Sequence, residues 1–333
     1  MLPIVTKYRS DEPLRSYWLY GWTSGVPGPR FRIVTTTGNV GEAVTYELLS
    51  TTNWSFVAGT FDRTNARLFI NGVEKNSMSA SGTIRQNSLP LRIGGDDEPD
   101  MSYFYGNIDD VRIYNGALSP SEIQALYNQE QGLVAYYPFN GNANDESGNG
   151  LNGTPVGALL ATDRFGNANS AYSFDGQDDE ITVQPNSLLD ITGPISLAAW
   201  IYPLEQKTQE IVRRSAAAIG PYGLSTSGTG DIIFELSFSG VLQQVRKSGY
   251  TLNAWSLIGG TYDGNAMKLY VNGSLVTTKS ISGSIDQSPN DVFLIGTRLR
   301  QWSNTFHGLL DDIRIYNREL SASEILALYN LEK

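Results

Sequence analysis

Asn53-Trp54-Ser55-Phe56-Val57-Ala58-Gly59-Thr60-Phe61-Asp62 and Ala254-Trp255-Ser256-Leu257-Ile258-Gly259-Gly260-Thr261-Tyr262-Asp263 carry one pattern twice. Trp54 and Trp255 lie 201 positions apart. Leu68-Phe69-Ile70-Asn71-Gly72 answers Leu269-Tyr270-Val271-Asn272-Gly273 at the same spacing, and Leu91-Arg92-Ile93-Gly94 answers Phe293-Leu294-Ile295-Gly296 at 202. Gly106-Asn107-Ile108-Asp109-Asp110-Val111-Arg112-Ile113-Tyr114-Asn115 answers Gly308-Leu309-Leu310-Asp311-Asp312-Ile313-Arg314-Ile315-Tyr316-Asn317, also at 202. Four blocks in step mean a duplicated module.

Each block is short, rich in apolar and β-branched or aromatic residues, and bounded by turn residues, so each reads as a strand. Asn-Gly after Ile70 and after Val271 supplies the positive φ of a two-residue hairpin turn. Each copy ends in a capped helix. Ser119-Pro120-Ser121-Glu122 and Ser321-Ala322-Ser323-Glu324 are capping boxes. Behind them Ile123, Leu126 and Tyr127, and Ile325, Leu328 and Tyr329, line one helical face that should dock on the sheets.

The second copy has an opening that the first lacks. Leu133–Phe139, Ala171–Gly176 and Ile195–Pro203 read as strands without counterparts before Trp54, and 140–150 is a turn-rich polar loop. Ile4-Val5-Thr6-Lys7 is the earliest match, to Ile211-Val212-Arg213-Arg214. The expected domains are therefore an incomplete module over 1–130 and a complete one over 131–333. A sandwich short of several strands exposes edges and core. The first copy is thus expected to belong to a longer protein, or to pack against the complete module or another chain.

Composition narrows the function. Net charge is −10, which disfavours a nucleic-acid partner. With no cysteine, disulfides and thiolate metal sites are excluded. No apolar run is long enough for a membrane helix. Lys7, Arg9, Asp11 and Glu12 break any signal-peptide core at the start, so either the chain is not exported or an exported parent begins further upstream.

The run Leu133-Val134-Ala135-Tyr136-Tyr137-Pro138-Phe139-Asn140-Gly141-Asn142-Ala143-Asn144-Asp145, the turn Tyr172-Ser173-Phe174-Asp175-Gly176, the Asp-Asp-x-Arg-Ile-Tyr-Asn strand and the capped helix together resemble the LamG-like jelly rolls of the concanavalin A-like lectin/glucanase superfamily. The resemblance covers 132–333 and the later part of 1–130. It implies an all-β fold of two antiparallel β-sandwich (jelly-roll) domains, each closing with a short helix. It also implies an extracellular or cell-surface setting, carbohydrate binding or adhesion toward a glycan or protein ligand, and a calcium ion.

Calcium takes six to eight oxygens. The family pattern assigns it to Asn140 and Asp145 of the opening loop and to Asp311 of the last strand, pinning the module's two ends together; Asp109 lacks its partner loop. The bland reading is that Asn and Asp form turns and that Asp311 and Asp312 pair with Arg314. Asp175, Asp178, Asp179 and Glu180 read as a solvated turn. For ligand binding, the candidates are Trp18 and Trp22 in the first copy and Arg298, Arg300 and Trp302 in the second, as aromatic and cationic groups suited to hydroxyl-rich or anionic ligands. Trp54, Trp200 and Trp255 are expected in the core. No catalytic residue is assigned. The glucanase motif Glu-x-Asp-x-x-Glu is missing, Glu235 stands alone, and His307 is the one histidine. A glycoside hydrolase, or its accessory domain, is the alternative.

Overall fold

The computed structural model describes residues 2–9, 15–22, 27–96, 102–129, 131–214, 219–298 and 304–331. The chain divides into two compact units, Met1–Asn128 and Gln129–Lys333.

The first unit contains strands β1 (Leu2–Lys7), β2 (Tyr17–Trp22), β3 (Arg30–Val34), β4 (Val40–Val44), β5 (Val57–Phe61), β6 (Asn65–Ile70), β7 (Val73–Ser79) and β8 (Arg92–Ile93), then helix α1 (Pro120–Gln129). One antiparallel sheet runs β4-β3-β2-β1-β8 and a second runs β5-β6-β7. Phe31, Ile33 and Ala43 from the first meet Ala66 and Leu68 from the second in a small core.

The second unit contains β9 (Leu133–Tyr137), β10 (Gly153–Val156), β11 (Leu159–Ala161), β12 (Ala171–Asp175), β13 (Glu180–Val183), β14 (Ile195–Pro203), β15 (Gln209–Arg214), β16 (Tyr222–Thr226), β17 (Asp231–Phe238), β18 (Val241–Ser248), β19 (Ser256–Tyr262), β20 (Ala266–Val271), β21 (Ser274–Ser280), β22 (Phe293–Ile295), β23 (His307–Tyr316) and helix α2 (Ala322–Leu331). Its two sheets run β10-β13-β22-β15-β16-β17-β18 and β11-β12-β23-β14-β19-β20-β21, with β9 also on β23. All pairings are antiparallel. The expected all-β sandwich architecture is present. Alternate residues of each strand fill the layer between the sheets, among them Ile201, Phe234, Ile258, Phe293 and Ile313. The outer face of β14, with Ala198 and Trp200, is covered by Ile325 and Leu328 of α2.

Local rules account for the shared parts. Asn71 and Gly72 have φ of 50° and 77°, and Asn272 and Gly273 have 49° and 78°, the conformation these turns demand. Both capping boxes form: the Ser119 amide donates to Glu122 at 2.7 Å and the Ser321 amide to Glu324 at 2.8 Å. The two sheets also approach closely at one glycine per unit. A Cβ on Gly59 would lie 2.2 Å from the Phe31 ring, and one on Gly260 2.4 Å from Phe234. Gly260→Ala should therefore lower stability by about 1–3 kcal/mol through overpacking. Chemical denaturation would show this as a lower midpoint at an unchanged slope.

Two expectations fail in the first unit, for one reason. Residues 106–115 read as the final strand, yet Ile108–Val111 and Ile113–Tyr114 enter no strand ladder among the described residues. Their counterpart β23 lies against β12, β14 and β9, and the first unit has no strands in those places among its described residues. Trp54, expected in the core, is 67% exposed. Its counterpart Trp255 packs on Tyr202 of β14, centroids 5.6 Å apart; the first unit offers no such partner. Trp200 is buried as expected.

Candidate functional site

The opening loop of the second unit is built around Asp145. Its Oδ1 accepts the amides of Tyr136 and Ser147, both at 2.9 Å. Its Oδ2 accepts the Leu151 amide and the Ser147 hydroxyl, also at 2.9 Å. Four protein donors use the lone pairs of one carboxylate. Asn140 sits on the surface.

Asp311 is taken by a different cation. The Arg164 guanidinium, from the loop between β11 and β12, donates through Nη1 to Asp311 and through Nη2 to Asp312. Asp311 also accepts the Asp312 amide at 2.8 Å. Asp312 accepts the Tyr136 hydroxyl at 2.6 Å and lies 3.4 Å from Arg314. Arg164 stacks over Trp200, 4.6 Å from the ring centre, and over Phe165 at 4.5 Å. Burial, then the neighbouring Asp312 charge, push the Asp311 carboxyl up, and Arg164 opposes them.

The residues assigned to calcium thus do not fit it in this geometry. Asp145 serves backbone amides, Asn140 is a surface turn residue, and a guanidinium already supplies the positive charge against Asp311. Arg164 ties the β11–β12 loop, a different loop from the one the family pattern names, to the last strand. Among the described residues, one acidic group has metal-ligand spacing: Asp175, Asp178 and Asp179, whose carboxylate oxygens lie within 4.8 Å of one another. Asp179 accepts the Asp175 amide at 2.7 Å, and burial raises its carboxyl. This is the hydrogen-bonding of an acidic turn.

A charged row lies on the face of the seven-stranded sheet that points away from the core, next to Arg298. Three strands contribute at one level, because Arg213 on β15 pairs with Gly223 on β16, which pairs with Glu235 on β17. Gly223 has no side chain, so Arg213 reaches across it to Glu235 at 3.4 Å. Ser225 donates to the other oxygen of Glu235 at 2.7 Å. Glu210 and Arg213 are three apart and would face opposite ways on a regular strand. A register shift between Glu210 and Val212 turns both to one face. Arg213 then meets Glu210 at 3.2 Å.

Arg298, at the start of the loop joining β22 to β23, lies 3.9 Å from Glu210 and stays partly exposed. Arg300 and Trp302 fall outside the described residues. Glu210 is 3% and Glu235 5% exposed. Burial pushes the Glu210 carboxyl up to about 7, with Arg213 opposing and Glu235 adding to the rise. Glu235 therefore does not stand alone, contrary to the sequence reading. Both glutamates share the Arg213 guanidinium, which holds them as an ion-paired row. The one signal for this row was the charged Glu210, Arg213 and Arg214 flanking Ile211 and Val212 in a single strand.

In the first unit, Trp18 is not the open platform expected of a ligand-binding ring. It is 5% exposed, its centroid lies 4.1 Å from that of Tyr8, and the Arg32 guanidinium sits 5.0 Å above it. Trp22 lies in β2, and its side chain is outside the described residues.

The profile of the Laminin_G_3 family, described as the concanavalin A-like lectin/glucanases superfamily, matches residues 4–124 and 175–326. The chain belongs to this family. No curated protein matches it. Among solved structures, the fold is similar to the binding domain of Paraclostridial mosquitocidal protein 1, with 21% identity and a TM-score of 0.51, covering 61% of this chain and 52% of that one. It is also similar to the botulinum neurotoxin serotype D ligand binding domain in complex with N-acetylneuraminic acid, with 19% identity and a TM-score of 0.51, covering 62% and 53%. The chain spans about half the length of these structures. The likeness is one of fold.

Proposed function

We propose that the chain is a non-catalytic recognition module for glycans, working within a secreted or surface-displayed protein, with the complete second unit as its binding part. The observation that carries this reading is the outer face of the seven-stranded sheet. There the partly exposed Arg298 lies beside a row of charged and hydroxyl groups; Trp302 is four residues further along the sequence. A partly exposed guanidinium, with an aromatic residue close in sequence, is the kind of group that a hydroxyl-rich or acidic sugar needs. A relative of the same fold holding N-acetylneuraminic acid supports the class of ligand. Burial of Glu210 and Glu235, 3% and 5% exposed, supports the absence of hydrolysis, since a catalytic pair has to reach the scissile bond.

A glycan array run on the full chain, with a reducing-sugar assay on the glycans it retains, is the direct test. Binding without release of reducing ends is expected, and Trp302→Ala or Arg298→Ala should weaken it by about tenfold, a loss of ~1.4 kcal/mol. Release of reducing ends would replace this reading with a glycoside hydrolase, and binding unchanged in both variants would move the site elsewhere. Calcium has no part in the proposal. Melting temperature of the second unit's transition should be the same in chelator and in added calcium. A rise with calcium would point to Asp175, Asp178 and Asp179.

A further inference from the structure

We infer that the first unit is an acceptor for a single extended strand with the chemistry of β14, which would enter between β5 and residues 106–115 and pair with both. The second unit supplies the template. There β14 lies between β19 and β23, with Ile195–Ile201 against Tyr262–Ser256 on one side and Ser196–Pro203 against Tyr316–Gly308 on the other. In the first unit the corresponding residues are Phe61–Ser55 and Tyr114–Gly106.

Two residues of the second segment keep the φ that their counterparts have with the strand in place. Gly106 and Asp110 have φ of 144° and 50°, and Gly308 and Asp312 of β23 have 148° and 46°. Positive φ is uncommon outside glycine, and aspartate is among the residues that adopt it most readily. At Asp312 it belongs to a strand held on both sides; at Asp110 the same conformation recurs without a ladder. The approach to the segment is also the same in the two units. The Phe104 amide donates to Gly94 at 2.9 Å and Gly94 to Ile4 at 3.0 Å, matching Phe306 to Gly296 at 2.7 Å and Gly296 to Ile211 at 2.9 Å. On the other side, β5 pairs with β6 alone among the described residues, so alternate amides and carbonyls of Val57–Phe61 face an open edge.

The side chains around this edge want an apolar strand. Ile113 is 57% exposed, whereas its counterpart Ile315 is fully buried. In the second unit Tyr329 of α2 stacks on Trp200 of β14, centroids 5.8 Å apart. Its counterpart Tyr127 of α1 rests on Phe56 at 6.1 Å. The incoming strand should therefore carry small and apolar residues toward Leu68 and Phe31, and an aromatic residue on the face toward Tyr127. β14 of a second copy is a poor donor, because it is buried at the centre of its own sheet. The donor is a separate segment of that pattern, about nine residues long.

The probe is a fluorescent peptide of sequence Ile195–Pro203 with charged solubilising tails, added to the full chain and followed by hydrogen exchange. Saturable binding is expected, with amides in 57–61 and 106–115 slowed by about tenfold or more while the second unit is unchanged. A peptide with Asp in place of Leu197 and Ile201 should do neither, and since only the peptide varies, misfolding of the chain cannot produce the difference. No slowing at either segment overturns the inference. So does slowing that appears without peptide as protein concentration rises, which would make a second copy the occupant.

Discussion

Arg164→Ala should cost the second unit about 3–5 kcal/mol, the loss usual when one partner of a buried ion pair is removed and the other charge stays buried. For a unit of this size that is a fall in melting temperature of about 10 °C. The Arg164 side chain is 5% exposed and the Asp311 side chain 3%, so water cannot replace the guanidinium. The variant also loses the stacking on Trp200 and Phe165. Two companions identify the cause. Arg164→Lys keeps the charge but not the two-pronged donor, and should fall between wild type and alanine. Asp311→Asn with Asp312→Asn, added to Arg164→Ala, should recover about half of the loss because the stranded charges are gone. If the triple variant is as unstable as Arg164→Ala, the lost stacking rather than the charges holds the loop to β23.

Much of the fold could be read from residues alone, because its signals are local or repeated. Asn-Gly before a polar strand fixes a hairpin, Ser-x-x-Glu fixes a helix start, and four blocks in step fix the duplication. What could not be read depends on distant partners. Residues 106–115 and β23 have nearly the same sequence and almost the same backbone, yet one is a strand and the other is not. Strand identity lies in the neighbouring chain, which local propensity does not contain. Arg164 escaped because 147 residues separate it from Asp311, and no pattern marks a loop arginine as buried. The family resemblance gave Asp311 to an ion instead. Glu210 escaped because a bulge, invisible to period-two counting, turns it onto the face of Arg213.

That bulge makes the second large effect a pH effect. Free glutamate titrates near 4.5, and in the folded chain Glu210 is pushed up to about 7. The folded state holds the proton more tightly than the unfolded one. Its contribution is therefore complete below pH 4.5 and lost as pH rises through 7. At ~1.4 kcal/mol for each pKa unit, the loss is about 3 kcal/mol as an upper bound. Glu210→Gln keeps the shape and an acceptor for Arg213 but cannot ionise. It should match wild type near pH 5 and exceed it at pH 8. Asp311, also pushed up, titrates in both proteins and cancels in the difference. Arg213→Ala has the opposite profile: it leaves two buried carboxylates unpaired, so it should cost about 3–5 kcal/mol at pH 8 and clearly less at pH 5, where Glu210 holds a proton. Denaturant melts of the three proteins across pH 5–8 measure both differences. Parallel curves would mean that Glu210 ionises as an ordinary surface acid and that burial does not hold its proton.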